Sequence, residues 1–353
     1  MSTFVFILPF LVFFMLLAVY AERKISAFMQ DRLGPMEVGY YGMLQTVADF
    51  IKLIQKEDIV PEKADKILFK LAPIFIFVAV FAGFSVIPLS PTWPGSTISS
   101  GMFFLLAIVS LDVIGILIAG WSSNNKYSVL GTMRSAAQLI SYEIPLGLSV
   151  LCVAMICQSL DLQEISRQQG ILSTQENYLF GVHAWGIETG TVGGFLTWNI
   201  FRMPFLIPAW LIFFISSMAE SNRAPFDLPE AESELVAGFQ TEYSGFRWAI
   251  LQIGEYGMML LVSFLGVILF FGSWNTPLPN IGSILLADWT TGAVWGIVWL
   301  TGKALFFVAV QIWVRWTLPR LRIDQLMSLS WKYLTPAALI IVVICGFWKL
   351  LIA

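Results

Sequence analysis

The chain has 353 residues, is 58% hydrophobic and only 12% charged, and carries a net charge of −3. Its mean hydropathy is +0.78. Soluble chains are about a quarter charged and nucleic-acid binders show a basic surface, so both classes are excluded.

Eight apolar stretches approach the ~20 residues that a helix needs to cross hydrocarbon. They cover residues 4–20, 71–89, 101–121, 136–160, 201–219, 248–271, 291–314 and 335–353. They predict an all-α polytopic membrane protein, a single membrane domain over 1–353 with eight transmembrane helices. Most of the stretches contain Gly or Pro, which spans tolerate when neighbouring helices satisfy the backbone. The alternating strands of a membrane barrel are absent.

The first stretch has no Lys or Arg before it; Arg23 and Lys24 follow it. That polarity is wrong for a cleaved signal, so it reads as a span. Its exit is charged, with Glu22, Arg23 and Lys24, then Asp31 and Arg32. Arg23 and Arg32 suit an anionic head group or the acidic loop described below. Over residues 43–57, Met43, Leu44, Val47, Phe50, Ile51 and Ile54 fall on one helical face, with Gln45, Asp49, Lys52 and Lys56 opposite. This is an amphipathic helix, too short and charged to span. It either anchors in the interface or roofs a cavity toward which Asp49 and Lys52 turn.

The middle of the chain places ionisable residues inside spans: Asp112 in the third and Glu143 in the fourth. A polar outer loop, 161–198, has no chemical motif and reads as contact surface with room for a short helix. The fifth span runs into an acidic loop, 220–247, holding Glu220, Arg223, Asp227, Glu230, Glu232, Glu234 and Glu242. Asp227 as N-cap, Pro229 in the first turn and Glu230 three after the cap predict a helix there, with Leu228, Ala231, Leu235 and Phe239 as its apolar stripe. Glu230 and Glu234 would share a face, and their repulsion would raise at least one pKa. Glu255 follows in the sixth span and Lys303 in the seventh. Charge at the bilayer centre is expensive, which makes function the default reading. At ~1.5 Å per residue, Glu143 lies ~10 Å from the cytoplasmic end, Asp112 and Glu255 ~12–13 Å, and Lys303 ~18 Å. They suggest a polar path dipping from the cytoplasmic side. The plainer alternative is an interhelical ion pair of Lys303 with Glu143 or Glu255.

Orientation follows from Lys and Arg. Eight lie in 21–70, two after the third span, two in the acidic loop and four before the last span; Arg167, Arg202, Lys303 and Lys349 remain. The acidic loop is therefore cytoplasmic, with both termini outside. Cys152, Cys157 and Cys345 lack ligand spacing and read as packing residues, and His183 reads as a surface loop residue. No phosphate loop, nucleophile–base pair or metal-ligand spacing occurs, so no complete catalytic site is expected in this chain alone.

Five segments carry a resemblance: A-E-R-K-I-S-A-F-M-Q-D-R-L-G-P at 21–35, Y-G-M-L-Q-T-V-A-D-F-I-K-L at 41–53, M-R-S-A-A-Q-L-I-S-Y-E at 133–143, A-E-S-N-R-A-P-F-D-L-P-E-A-E-S-E-L-V-A-G-F-Q-T-E-Y-S-G at 219–245 and W-V-R-W-T-L-P-R-L-R-I-D-Q-L-M at 313–327. Together they resemble the quinone-chamber membrane subunit of respiratory complex I, NADH:quinone oxidoreductase. The resemblance implies a subunit of the bacterial inner membrane that forms much of a quinone tunnel and links quinone reduction to proton translocation. It implies bound ubiquinone or menaquinone, and no flavin, iron–sulfur cluster or metal in this chain. The implied partners are the peripheral-arm quinone-module subunits, small neighbouring membrane subunits and the lipid bilayer, not nucleic acid. Glu22, Arg23, Arg32, Asp49, Lys52 and Arg223 look like tunnel residues. Glu143, Glu220, Asp227, Glu230, Glu232, Glu234, Glu242 and Glu255, with Lys303, look like the coupling path. Asp112 and the length of the 161–198 loop depart from the family pattern. A homologous hydrogenase subunit and a stand-alone ion transporter are the alternatives; the transporter would favour inverted repeats of broken helices, and none is found.

Overall fold

The computed structural model describes residues 2–96, 98–173, 178–181, 188–228, 232–280 and 285–352. Nine helices organise them. These are α1 (Ser2–Met29), α2 (Gln45–Gln55), α3 (Lys66–Phe84), α4 (Gly101–Ser122), α5 (Lys126–Cys157), α6 (Leu206–Glu220), α7 (Gly245–Phe270), α8 (Ala293–Thr317) and α9 (Ile323–Leu351). Six of them, α3, α4, α5, α7, α8 and α9, are long and apolar enough to cross a membrane; α6 is a shorter apolar helix.

Local chemistry sets the helix ends. Asp65 accepts from the amides of Ile67 and Leu68 and starts α3, while Asn125 accepts from the Tyr127 amide and starts α5. Hydropathy places the fourth span at 136–160, but the helix begins at Lys126, because Asn125 supplies the cap and Arg134 and Gln138 find partners in the loop beside them. Likewise α1 runs on through Glu22, Arg23 and Lys24 to Met29.

The centre of the fold is α7, buried on all sides from Tyr256 to Phe270, as a helix that is apolar all round must be. It packs on α1, α3, α6 and α8. Gly254 and Gly257 allow the close approach of α3: a Cβ there would stand 2.8 Å from the Ile76 and Val80 side chains. Around this centre, α3 pairs with α4, α4 with α5, and α5 with both α6 and α9. Much of α8 and α9 is exposed and apolar, including Phe306, Trp313, Phe347 and Leu350.

The 161–198 region contains a short helix, Leu162–Gln168, capped by Asp161. His183 lies outside the described residues. Gln169, Asn199 and Lys303 close the far end of α7. Gln169 donates to Ile268 O at 2.7 Å and Asn199 to Leu269 O at 2.8 Å. Lys303 Nζ donates to the carbonyls of Phe271, Ser273 and Asn275 at 2.8, 3.0 and 2.6 Å. A cation beside the carbonyl end of a helix complements its dipole.

The acidic loop departs from expectation. Its helix is a single turn, Glu232–Leu235, followed by positive φ at Val236 (66°) and Gly238 (53°). Those angles reverse the chain, so Phe239 falls in a separate 3₁₀ turn, Gly238–Gln240, instead of on one stripe with Leu235. Pro229, Glu230 and Ala231 lie outside the described residues.

Candidate functional site

Glu22 and Arg23 are chain neighbours on α1, so their side chains leave the helix in different directions. Arg23 reaches α2 and pairs with Asp49 at 2.6 Å. Gln45, one turn earlier on α2, donates to the other Asp49 oxygen at 3.0 Å. Glu22 turns inward and is buried. Tyr256 of α7 donates to it at 2.6 Å. Arg223 of the acidic loop approaches it at 3.7 Å, and Arg315 in the last turn of α8 pairs with its other oxygen. The Arg223 guanidinium also lies 4.1 Å from the Tyr256 ring centroid. One carboxylate thus binds α1, α7, α8 and the acidic loop together. Breaking a buried pair of this kind costs about 3–5 kcal/mol, because the partner is left charged and dry.

These residues wall a cavity of about 350 Å³. Its polar wall carries Glu22, Arg23, Arg32, Asp49, Arg223, Gln252, Glu255 and Arg315, and its apolar wall Met15, Leu16, Val19, Phe50, Leu53, Trp248 and Trp316. Four arginines therefore face three carboxylates across an otherwise apolar chamber, an environment that holds a polar head with an apolar tail. Of the residues expected at a tunnel, Glu22, Arg23, Arg32, Asp49 and Arg223 line this cavity. Lys52 does not; it is exposed on α2. Thr46, Asp49, Phe50 and Leu53 turn that helix toward the cavity, while Val47, Ile51 and Ile54 stay exposed. Sequence reasoning missed Arg315, Trp316, Trp248, Gln252 and Tyr256 as lining residues. The only signal for Arg315 was a basic residue in the last turn of a span, which also fits ordinary orientation and dipole rules.

The carboxylates of the expected path fall into three sets. Glu255 lies in the cavity wall and accepts from Gln240 at 2.5 Å; Gln252 in turn donates to Gln240 at 3.1 Å. Glu220 is buried at the end of α6, within electrostatic reach of Asp112 on α4 and Glu143 on α5. Glu143 itself accepts from Ser110 of α4. The third set lies at the loop: Asp227 pairs with Arg320 at 3.1 Å, Glu234 with Arg134 at 2.5 Å, and Glu242 accepts from Asn125 at 2.6 Å. Glu230 lies outside the described residues, as does the side chain of Glu232. The shared face of Glu230 and Glu234 predicts a raised carboxyl, but the Arg134 hydrogen bond holds Glu234 below the usual carboxylate range.

Lys303 is the one member of that path found elsewhere. It forms neither of the ion pairs considered for it, because its three donors serve the carbonyls at the C-terminal end of α7, and its Nζ lies 4.4 Å from the Trp198 ring centroid. Among the described residues, no three His, Cys, Asp or Glu side chains gather to hold a metal ion.

Comparison with known proteins agrees with this geometry. The family model described as NADH dehydrogenase matches residues 1–346. A Cytophaga hutchinsonii protein, the second H-type chain of its NADH-quinone oxidoreductase, is 58% identical, over 97% of both chains. The H-type chain of the NADH-quinone oxidoreductase of Chlorobium luteolum is 52% identical over 94% of this chain and 84% of its own. Its counterpart in Anaeromyxobacter dehalogenans is 41% identical over 96% of this chain and 78% of its own.

Proposed function

The chain belongs to the NADH dehydrogenase family, as a membrane subunit of NADH-quinone oxidoreductase, and on that premise we propose that the cavity between α1, α2, α7 and α8 is the membrane end of a quinone tunnel. The observation that carries this reading is the cavity wall itself, four arginines and three carboxylates facing Met15, Leu16, Val19, Phe50 and Leu53. The apolar side takes an isoprenoid tail, and the guanidinium groups face the head.

Quinone accepts two electrons from a cluster held by a peripheral-arm partner, and two protons complete the quinol. Negative charge on the reduced head is stabilised by Arg23, Arg32, Arg223 and Arg315. Glu22 sits between Arg223 and Arg315 and registers the change through both. From there the acidic loop relays it: Glu255 and Gln240 at the wall, Asp227, Glu230, Glu232, Glu234 and Glu242 in the loop, then Glu220 and Glu143 toward the membrane axis. We place Lys303 outside this relay, as the cap that closes the far end of α7.

We further propose eight spans, α1 and α3 to α9, in a bacterial inner membrane, with the acidic loop cytoplasmic and both termini outside. The sidedness of Lys and Arg supports this. The helix α2 lies at the interface, its exposed Val47, Ile51 and Ile54 in lipid and Asp49 in the cavity wall.

Arg23→Ala and Asp49→Asn test the reading in the assembled complex. Each should lower quinone reduction about tenfold or more, the scale expected when one partner of a charged hydrogen-bonded pair is lost. NADH oxidation by an artificial acceptor, which uses other subunits, should stay near wild type. Equal loss of both activities would reject the tunnel reading.

A further inference from the structure

Pro145 lies inside α5 and has no amide hydrogen. The carbonyl four residues earlier, on Ser141, therefore lacks its helical donor. Ser141 is buried, and a buried carbonyl needs a partner. The partner comes from α9: Ser330 Oγ donates to Ser141 O at 2.6 Å. One residue on, Trp331 Nε1 donates to the Ser141 hydroxyl at 3.2 Å. In return, Tyr142 OH of α5 donates to Leu326 O of α9 at 3.0 Å.

Consecutive residues of an α-helix point about 100° apart, which makes a shared partner for Ser330 and Trp331 unusual. The last helix departs from α geometry at this point. Leu329–Leu334 is a π-helical turn, a wider coil that occurs mostly as isolated turns at functional sites. Two residues past Ser141, in the turn that Pro145 deprives of its ladder bond, stands Glu143, which accepts from Ser110 on α4.

We propose that the π-helical turn of α9 is a clasp that positions the Glu143 turn of α5, with Ser330 supplying the donor that Pro145 removes and Trp331 fixing the Ser141 hydroxyl. Ser330 and Trp331 are positioning residues for charge transfer through Glu143, and this rests on the reading of Glu143 as part of the coupling path. If the π turn relaxed to α geometry, Ser330 and Trp331 would rotate off Ser141. The turn bearing Glu143 would then be held only from the α4 side.

The experiment uses the whole complex in inverted membrane vesicles, read by proton uptake, coupled quinone reduction and the pH profile of turnover. The Ser330→Ala, Trp331→Phe double variant should assemble normally. Its coupled turnover should fall about fivefold, the scale of one or two lost hydrogen bonds, and it should shift the pH limb that Glu143→Gln abolishes. Ser330→Thr keeps the hydroxyl and should match wild type. Pro145→Ala added to Ser330→Ala returns an amide donor to Ser141 O and should restore turnover. A wild-type rate and pH profile in the double variant would overturn the clasp, as would a loss that only follows the amount of complex assembled. If Glu143→Gln alone behaves as wild type, the coupling reading fails and the clasp fails with it. If Glu143→Gln is impaired while the double variant is not, only the clasp fails.

Discussion

Glu22 and Arg315 lie 293 residues apart in the chain and are joined in one buried ion pair. Pairing of that kind leaves no local trace. The sequence shows that Glu22 and Arg23 sit where a span ends, and resemblance adds that they belong to a tunnel. That Glu22 faces two arginines while Arg23 faces Asp49 follows only from how α1, α7 and α8 pack. Glu234 makes the same point with opposite sign: its spacing from Glu230 predicts a raised pKa, but Arg134 of α5 holds it low. A carboxyl with a lowered pKa contributes its ion pair at all pH above its ordinary range and loses it only as pH falls through the lowered value. Hydrogen-exchange protection of residues 234–240 should therefore be flat from about pH 8 to about pH 5.5, well above carboxylate titration. Arg134→Ala should lower it at every pH in that window. A protection step near neutral pH in the wild type would show that some other group controls the loop.

At the scale of elements, hydropathy locates the apolar stretches well because bilayer thickness is a strong constraint. It mislocates their ends because caps and tertiary partners decide where helices start. Asp65 and Asn125 each begin a helix several residues before the apolar run. The loop helix is shorter than its pattern suggests for a related reason: the Asp227 carboxylate pairs with Arg320 of the segment after α8, and the positive φ of Val236 ends the turn. The loop is instead held by contact with α5. At Gly131 a Cβ would stand 2.7 Å from the Gly238 Cα, backbone against backbone, whereas at Gly147 on the same helix nothing lies within 4 Å. Gly131→Ala should cost about 1–3 kcal/mol, as overpacking of a rigid contact does, and reduce the amount of assembled complex. Gly147→Ala should be silent. Both can be read from complex abundance in native gels, and equal abundance would show that α5 and the loop are not in rigid contact.

At the scale of the molecule, the polar chemistry lies in two separate regions. One is the cavity and acidic loop, with Glu22, Arg223 and Arg315 at its centre. The other closes the far end of α7 through Gln169, Asn199 and Lys303. This arrangement lets charge enter from one side and meet a satisfied network at the other. It implies a topology that cysteine substitution can check. Position 62 or 234 should be labelled by an impermeant thiol reagent only in inverted vesicles, and position 172 only in right-side-out cells; the reverse pattern would reject the orientation. The central claim, that the cavity receives the quinone head, is tested most directly by photolabelling the intact complex with a quinone bearing a photoreactive group on its ring. The account predicts cross-links on peptides spanning 15–32, 46–53 and 248–256, suppressed by excess unlabelled quinone. Labelling confined to α3, α4 or α9, with these segments unmodified, would contradict it.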